Sequence, residues 1–77
     1  MKPYEEVVEF IASRNPQEVL DFKPSEPARR RVWELVERQK AATLLPEEEA
    51  ELQHYLELEH LMRLAKARAR QLLSHEH

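Results

Sequence analysis

A carboxylate and an imidazole three residues apart, Glu57-x-x-His60, form a spacing suited to a metal half-site. On a helix such a pair shares a face, and di-iron helical bundles use this pair twice. A complete site needs further acids from a second helix, and Glu34 and Glu37 are the ones a neighbouring helix would bring. On a helical wheel, however, Glu57 and His60 point away from the apolar face. A solvated or interface pair is the plainer reading, and a helical oligomer with a Glu-x-x-His metal site is the alternative. His54 has less claim. His75 and His77 sit in a closing "SHEH" expected to fray, where captured metal would be adventitious.

Nucleophilic chemistry finds little to work with. The hydroxyl candidates are Ser13, Ser25, Thr43 and Ser74, and none pairs with a histidine and an orienting acid at a recognisable spacing. Cysteine is absent, so there is neither thiolate chemistry nor a disulfide. Glycine is absent too, which disfavours phosphate-binding loops and hairpin-rich folds that need its positive φ. A chain of 77 residues struggles to enclose a pocket of about 300–1,000 Å³. The expectation is a non-enzymatic protein with no cofactor and no small-molecule substrate.

Charge offers two further surfaces. Arg63, Lys66 and Arg70 recur at i, i+3 and i+7, one helix face, and Arg29, Arg30 and Arg31 are contiguous. Together they are the candidate nucleic-acid contacts, and a DNA-binding transcriptional or autoregulatory role is an alternative. Against it stand the net charge of −3 and Glu59, placed four residues before Arg63 in the orientation that favours an ion pair. Glu47, Glu48, Glu49 and Glu51 are the acids placed to meet a basic partner. Trp33, Leu56 and Leu64 fall off the core-facing stripes, which makes them candidate partner contacts, with Trp33 the interface anchor or a flanking core residue.

Strong helix formers dominate, and the elements follow from their punctuation. Tyr4, Val7, Val8, Ile11 and Ala12 share one face of a helix over about 3–14. Asn15-Pro16 ends it and starts a short turn, 16–22, with Asn15 as N-cap and Pro16 at the first helical position. Residues 23–27, "KPSEP", break the chain, and Ser25 caps a helix over 26–43 with an inward stripe of Ala28, Val32, Leu35, Val36 and Gln39. The three arginines in its first turn oppose the helix dipole, so either nearby acids such as Glu26 compensate or the arginines meet an external partner. Pro46 then opens a long helix over 46–73, with Leu45 a poor cap. Tyr55, Leu58, Met62, Ala65, Ala69 and Leu72 gather on its core face, with Leu61 and Leu73 beside them.

A short break makes the second and third helices an antiparallel hairpin. The shorter arm, at a rise of about 1.5 Å per residue, leaves residues 63–73 uncovered. Either the N-terminal arm, which holds Phe10 and Phe22, or a second chain must cover them. The predicted fold is thus all-α: one helical domain over 1–77, with an arm at 1–24, a long hairpin at 26–43 and 46–73, and a tail at 74–77. Both a monomer and a homodimer fit it. No apolar run approaches the roughly 20 residues of a membrane span, and "MKPYEEVVEF" lacks a signal-peptide apolar region. A soluble cytoplasmic location is expected.

The segments "VVEFIA", "VLDFKPSE" and "ELQHYLELEHLMRLAKARARQ" carry a resemblance. The chain resembles small uncharacterised helical bacterial proteins, common in cyanobacteria, that look like antitoxin-type partners of neighbouring HNH-nuclease-like or toxin-like proteins. The resemblance covers about residues 4–73 and is most specific at Asp21–Ser25 and Leu58–Arg70. It implies an accessory binding role with a protein partner, and carries no catalytic residue across.

Overall fold

The computed structural model describes residues 2–75, and among them every regular element is a helix. They are α1 (Pro3–Arg14), α2 (Pro16–Asp21), α3 (Glu26–Lys40) and α4 (Pro46–Ser74). The all-α expectation is met.

The starts obey local chemistry. Asn15 accepts at its side-chain oxygen from the Glu18 N–H (3.2 Å), and Ser25 Oγ accepts from the Ala28 N–H (3.3 Å). Each satisfies an amide that a helix start leaves orphaned. At α4 the weak cap Leu45 is rescued from within the helix. Its N–H donates to Glu48 Oε1 at 3.1 Å, the reaching-back half of a capping box.

The end of α3 departs from the sequence reading, which ran it to 43. The helix stops at Lys40 because Ala42 turns into the left-handed region, φ 57°. The Ala42 N–H then reaches the Gln39 carbonyl (3.1 Å) and the Thr43 N–H the Arg38 carbonyl (2.9 Å). This is the Schellman arrangement, with alanine in the position where glycine is usual.

The chain divides into two compact units: Met1–Phe22 with Glu59–His77, and Lys23–Leu58. We call these unit 1 and unit 2. The first part of α4 belongs to unit 2 and the remainder to unit 1.

Unit 2 is the antiparallel hairpin. Arg31 pairs with Glu51 and Arg38 with Glu48, so the partner's position moves back along α4 as the chain moves forward along α3. Leu35 and Leu52 are its fully enclosed side chains, at 1% and 2% exposure. Ala28, Val32, Val36 and Tyr55 are half-buried, whereas Gln39, expected in the inward stripe, is exposed.

Unit 1 supplies cover for the second half of α4 from the N-terminal arm. Arg68 reaches Glu9 of α1, and Lys66 Nζ donates to the Phe22 carbonyl at 2.7 Å. Ala12, Ala65 and Ala69 are completely buried. Small side chains let helix backbones approach closely, which is why alanines occupy this seam. The arm does not bury its rings as expected: Phe10 is 60% and Phe22 48% exposed. Within α1, Val8, Ile11 and Ala12 face inward with Glu9, while Tyr4 and Val7 face out.

Leu58 also corrects the core list, being 65% exposed. Within unit 2 the inward positions of α4 are 48, 52 and 55; within unit 1 they are 62, 65, 69 and 72. One fixed stripe drawn through the whole helix places Leu58 inward and overlooks Leu52. At about 100° per residue Leu58 stands roughly 120° round from Leu52, outside the face that α3 covers.

Candidate functional site

Several of the chain's charges link its own helices, among them Arg31, Arg38, Arg68, Glu9, Glu48 and Glu51. Each unit contains a two-bond cross-helix arginine–glutamate clamp. In unit 2, Arg31 Nε and Nη2 each donate at 2.9 Å to the two carboxylate oxygens of Glu51. In unit 1, Arg68 Nε and Nη2 donate to Glu9 at 2.7 and 3.3 Å. The paired, planar geometry is the strong form of an ion pair. The Arg31 hydrogen bonds hold the Glu51 carboxyl below the usual glutamate range against an opposing desolvation effect. The Arg68 hydrogen bonds do the same for Glu9. No acid follows Glu59 within the basic half of α4, and the acid that Arg68 uses comes from α1 instead.

Glu48 is the hub of unit 2. Its Oε1 caps Leu45, while its Oε2 accepts from Arg38 and lies 3.6 Å from Arg31. Its side chain is only 12% exposed. Glu48 and Glu51, expected to face a partner, are therefore turned to internal work. Of that acidic set Glu47, Glu49 and Glu51 are exposed, and Glu51 is held in its clamp with Arg31.

The candidate nucleic-acid contacts are mostly engaged as well. Arg29 and Arg30 both pair with Glu26 at the start of α3. This answers the dipole conflict: Glu26 compensates there, and Arg31 has Glu34, Glu48 and Glu51 around it. Arg63 pairs with Glu59 four residues earlier. Lys66 closes the exposed carbonyl end of α2 through Phe22. Arg70 is exposed, with no ion pair among the described residues.

Glu57 and His60 are each exposed, and Glu57 accepts from Gln53 at 3.4 Å. Among the described residues no three His, Asp or Glu side chains converge as metal ligands would. Ser74 is the last residue of α4, and the His75 N–H bonds the Gln71 carbonyl at 3.1 Å. The rest of the tail expected to fray, Glu76 and His77, lies outside the described residues.

The apolar candidates divide differently. Trp33 is 64% and Leu56 45% exposed, while Leu64 is half-buried in unit 1. Leu45 and Leu58 add to the exposed apolar surface of unit 2. In unit 1, Tyr4, Val7 and Phe10 recur every third residue along α1, and Arg14 lies over the Phe10 ring, 5.1 Å from its centroid. Arg14 is also one wall of an open groove of about 320 Å³, lined besides by Ile11, Asn15, Glu18, Val19, Phe22 and Met62. Sequence reasoning missed this surface because it assigned both phenylalanines to the interior. The available signal was that α1 is apolar on two sides, a pattern of helices covered on two sides.

Among the described residues no helix is long and apolar enough to cross a membrane. Compared with family models, curated proteins and solved structures, the chain matches none.

Proposed function

We propose that the chain is a small, non-enzymatic helical interaction module of antitoxin-like type. It binds and masks a basic protein partner, nuclease- or toxin-like, through the hairpin of unit 2. Trp33 and Leu56 are the apolar anchors, and Glu47 and Glu49 are the acids that meet the partner's positive charge.

The observation that carries this reading is Trp33, 64% exposed on a helix whose neighbouring charges are paired internally. An indole left that far in water forgoes about 2–3 kcal/mol of burial. Tryptophan is enriched among residues that dominate interface energetics. The chain's acidic balance favours a basic partner and speeds its encounter. Nucleic-acid contact is the weaker reading. Five of its six candidate cations, Arg29, Arg30, Arg31, Arg63 and Lys66, already hold partners within the chain.

Co-expression with the product of the adjacent gene tests the proposal. The expected result is co-purification and relief of that product's toxicity. Clean separation with no relief would overturn it.

A further inference from the structure

Unit 1 presents a surface of a different kind. Its completely buried side chains are alanines, Ala12, Ala65 and Ala69, whereas unit 2 encloses two leucines. At the same time it leaves Tyr4, Val7, Phe10 and Phe22 in water. A small unit without disulfides and with so thin an interior draws stability from association. The exposed parts of the three rings alone amount to about 300 Å², against about 800 Å² per partner in a stable interface. The groove and its rim lie alongside to supply more.

The patch is also complementary to itself. It carries an exposed ring, Phe10, under Arg14, and Arg14 itself borders a recess that Ile11, Val19, Phe22 and Met62 also line. It carries one charge of each sign on the same rim, Arg14 and Glu18. The break at Asn15 puts these two on different helices, and they form no ion pair with each other or with other described residues. A two-fold contact requires that residue i meet j while j meets i. A patch holding both ring and recess, and both cation and anion, meets that requirement; a foreign partner would have no need of both halves.

We propose that unit 1 pairs with a second copy of itself. Phe10 of each copy enters the groove of the other, and Arg14 of each meets Glu18 of the other. This surface is made by residues of unit 1 and the proposed Trp33 surface by residues of unit 2, so the two proposals are tested by different variants.

Sedimentation velocity on the full chain, from about 1 to 300 μM, tests the pairing. The wild type should be a dimer with a micromolar Kd. Phe10→Asp should be monomeric with unchanged far-ultraviolet circular dichroism, since the ring is largely outside the fold. Arg14→Glu alone and Glu18→Arg alone each set like charges against each other and should weaken the dimer at least tenfold. The double reversal should restore it to within about threefold of the wild type. Trp33→Ala should leave it intact. A wild type monomeric throughout, a dimer indifferent to Arg14→Glu, a double reversal without rescue, or a dimer lost in Trp33→Ala would each overturn the proposal. So would a monomer that uses Phe10 to hold a different protein.

Discussion

Replacing Glu48 with alanine should cost more than its place in a run of three glutamates suggests. The side chain caps Leu45, neutralises the positive end of α4, and bonds Arg38 while lying beside Arg31. Losing a cap contact costs about 1 kcal/mol. Removing a first-turn acid costs about 0.3–1 kcal/mol more. The ion pair to Arg38, whose side chain is 44% exposed, adds only about a few tenths of a kcal/mol after solvent screening. The expected loss is about 2 kcal/mol. In a chain of this size that lowers Tm by roughly 8–16 °C. Urea and thermal unfolding followed by circular dichroism would measure it, with Glu47→Ala as control. Glu47 is the preceding, exposed residue; as a first-turn acid that caps nothing among the described residues it should cost only about 0.3–1 kcal/mol. If Glu48→Ala and Glu47→Ala agree within about 0.5 kcal/mol, the assignment of Glu48 as a structural hub is refuted.

Two other outcomes follow. Ala42→Gly relieves a left-handed alanine at the end of α3 and should raise stability by about 0.5–1 kcal/mol in urea unfolding; a loss would show that the turn is not strained. Glu9 and Glu51 have folded-state pKa values held below the ordinary value, so their stabilisation is present above the unfolded glutamate pKa and is lost as pH falls through the folded one. Acid titration of stability should therefore decline below about pH 4.3, and the double variant Glu9→Gln, Glu51→Gln should show a shallower decline; an unchanged slope would count against the clamps.

The helices were readable because their punctuation is local. Asn15-Pro16, Ser25 and Pro46 each act on the next three residues, and each start lies where that chemistry puts it. The left-handed turn at Ala42 left no glycine to announce it, so the end of α3 was read three residues late. Leu35, Ala65 and Ala69 followed from periodicity. Leu58 and Leu52 did not: Leu52 is enclosed and Leu58, roughly 120° round the helix from it, is exposed. The salt links were legible only where they are short in sequence, as in Glu59–Arg63. The Glu9–Arg68 and Arg31–Glu51 clamps join residues far apart in the chain, and only the fold brings them together. That pairing converts charges that looked free for partners into internal supports. It shifts attention from the basic stripe to the exposed apolar side chains.

The most direct test of an interaction surface built on Trp33 is the affinity of the co-purified partner for Trp33→Ala, compared with Arg29→Ala/Arg30→Ala, across a salt series. Such a surface predicts a loss of about 30-fold or more for Trp33→Ala, the scale of a dominant interface residue. It predicts a change of less than about threefold for the arginine pair, in keeping with exposed pairs that contribute little. Unchanged affinity in Trp33→Ala, with binding that collapses in the arginine variant and falls steeply with salt, would contradict it.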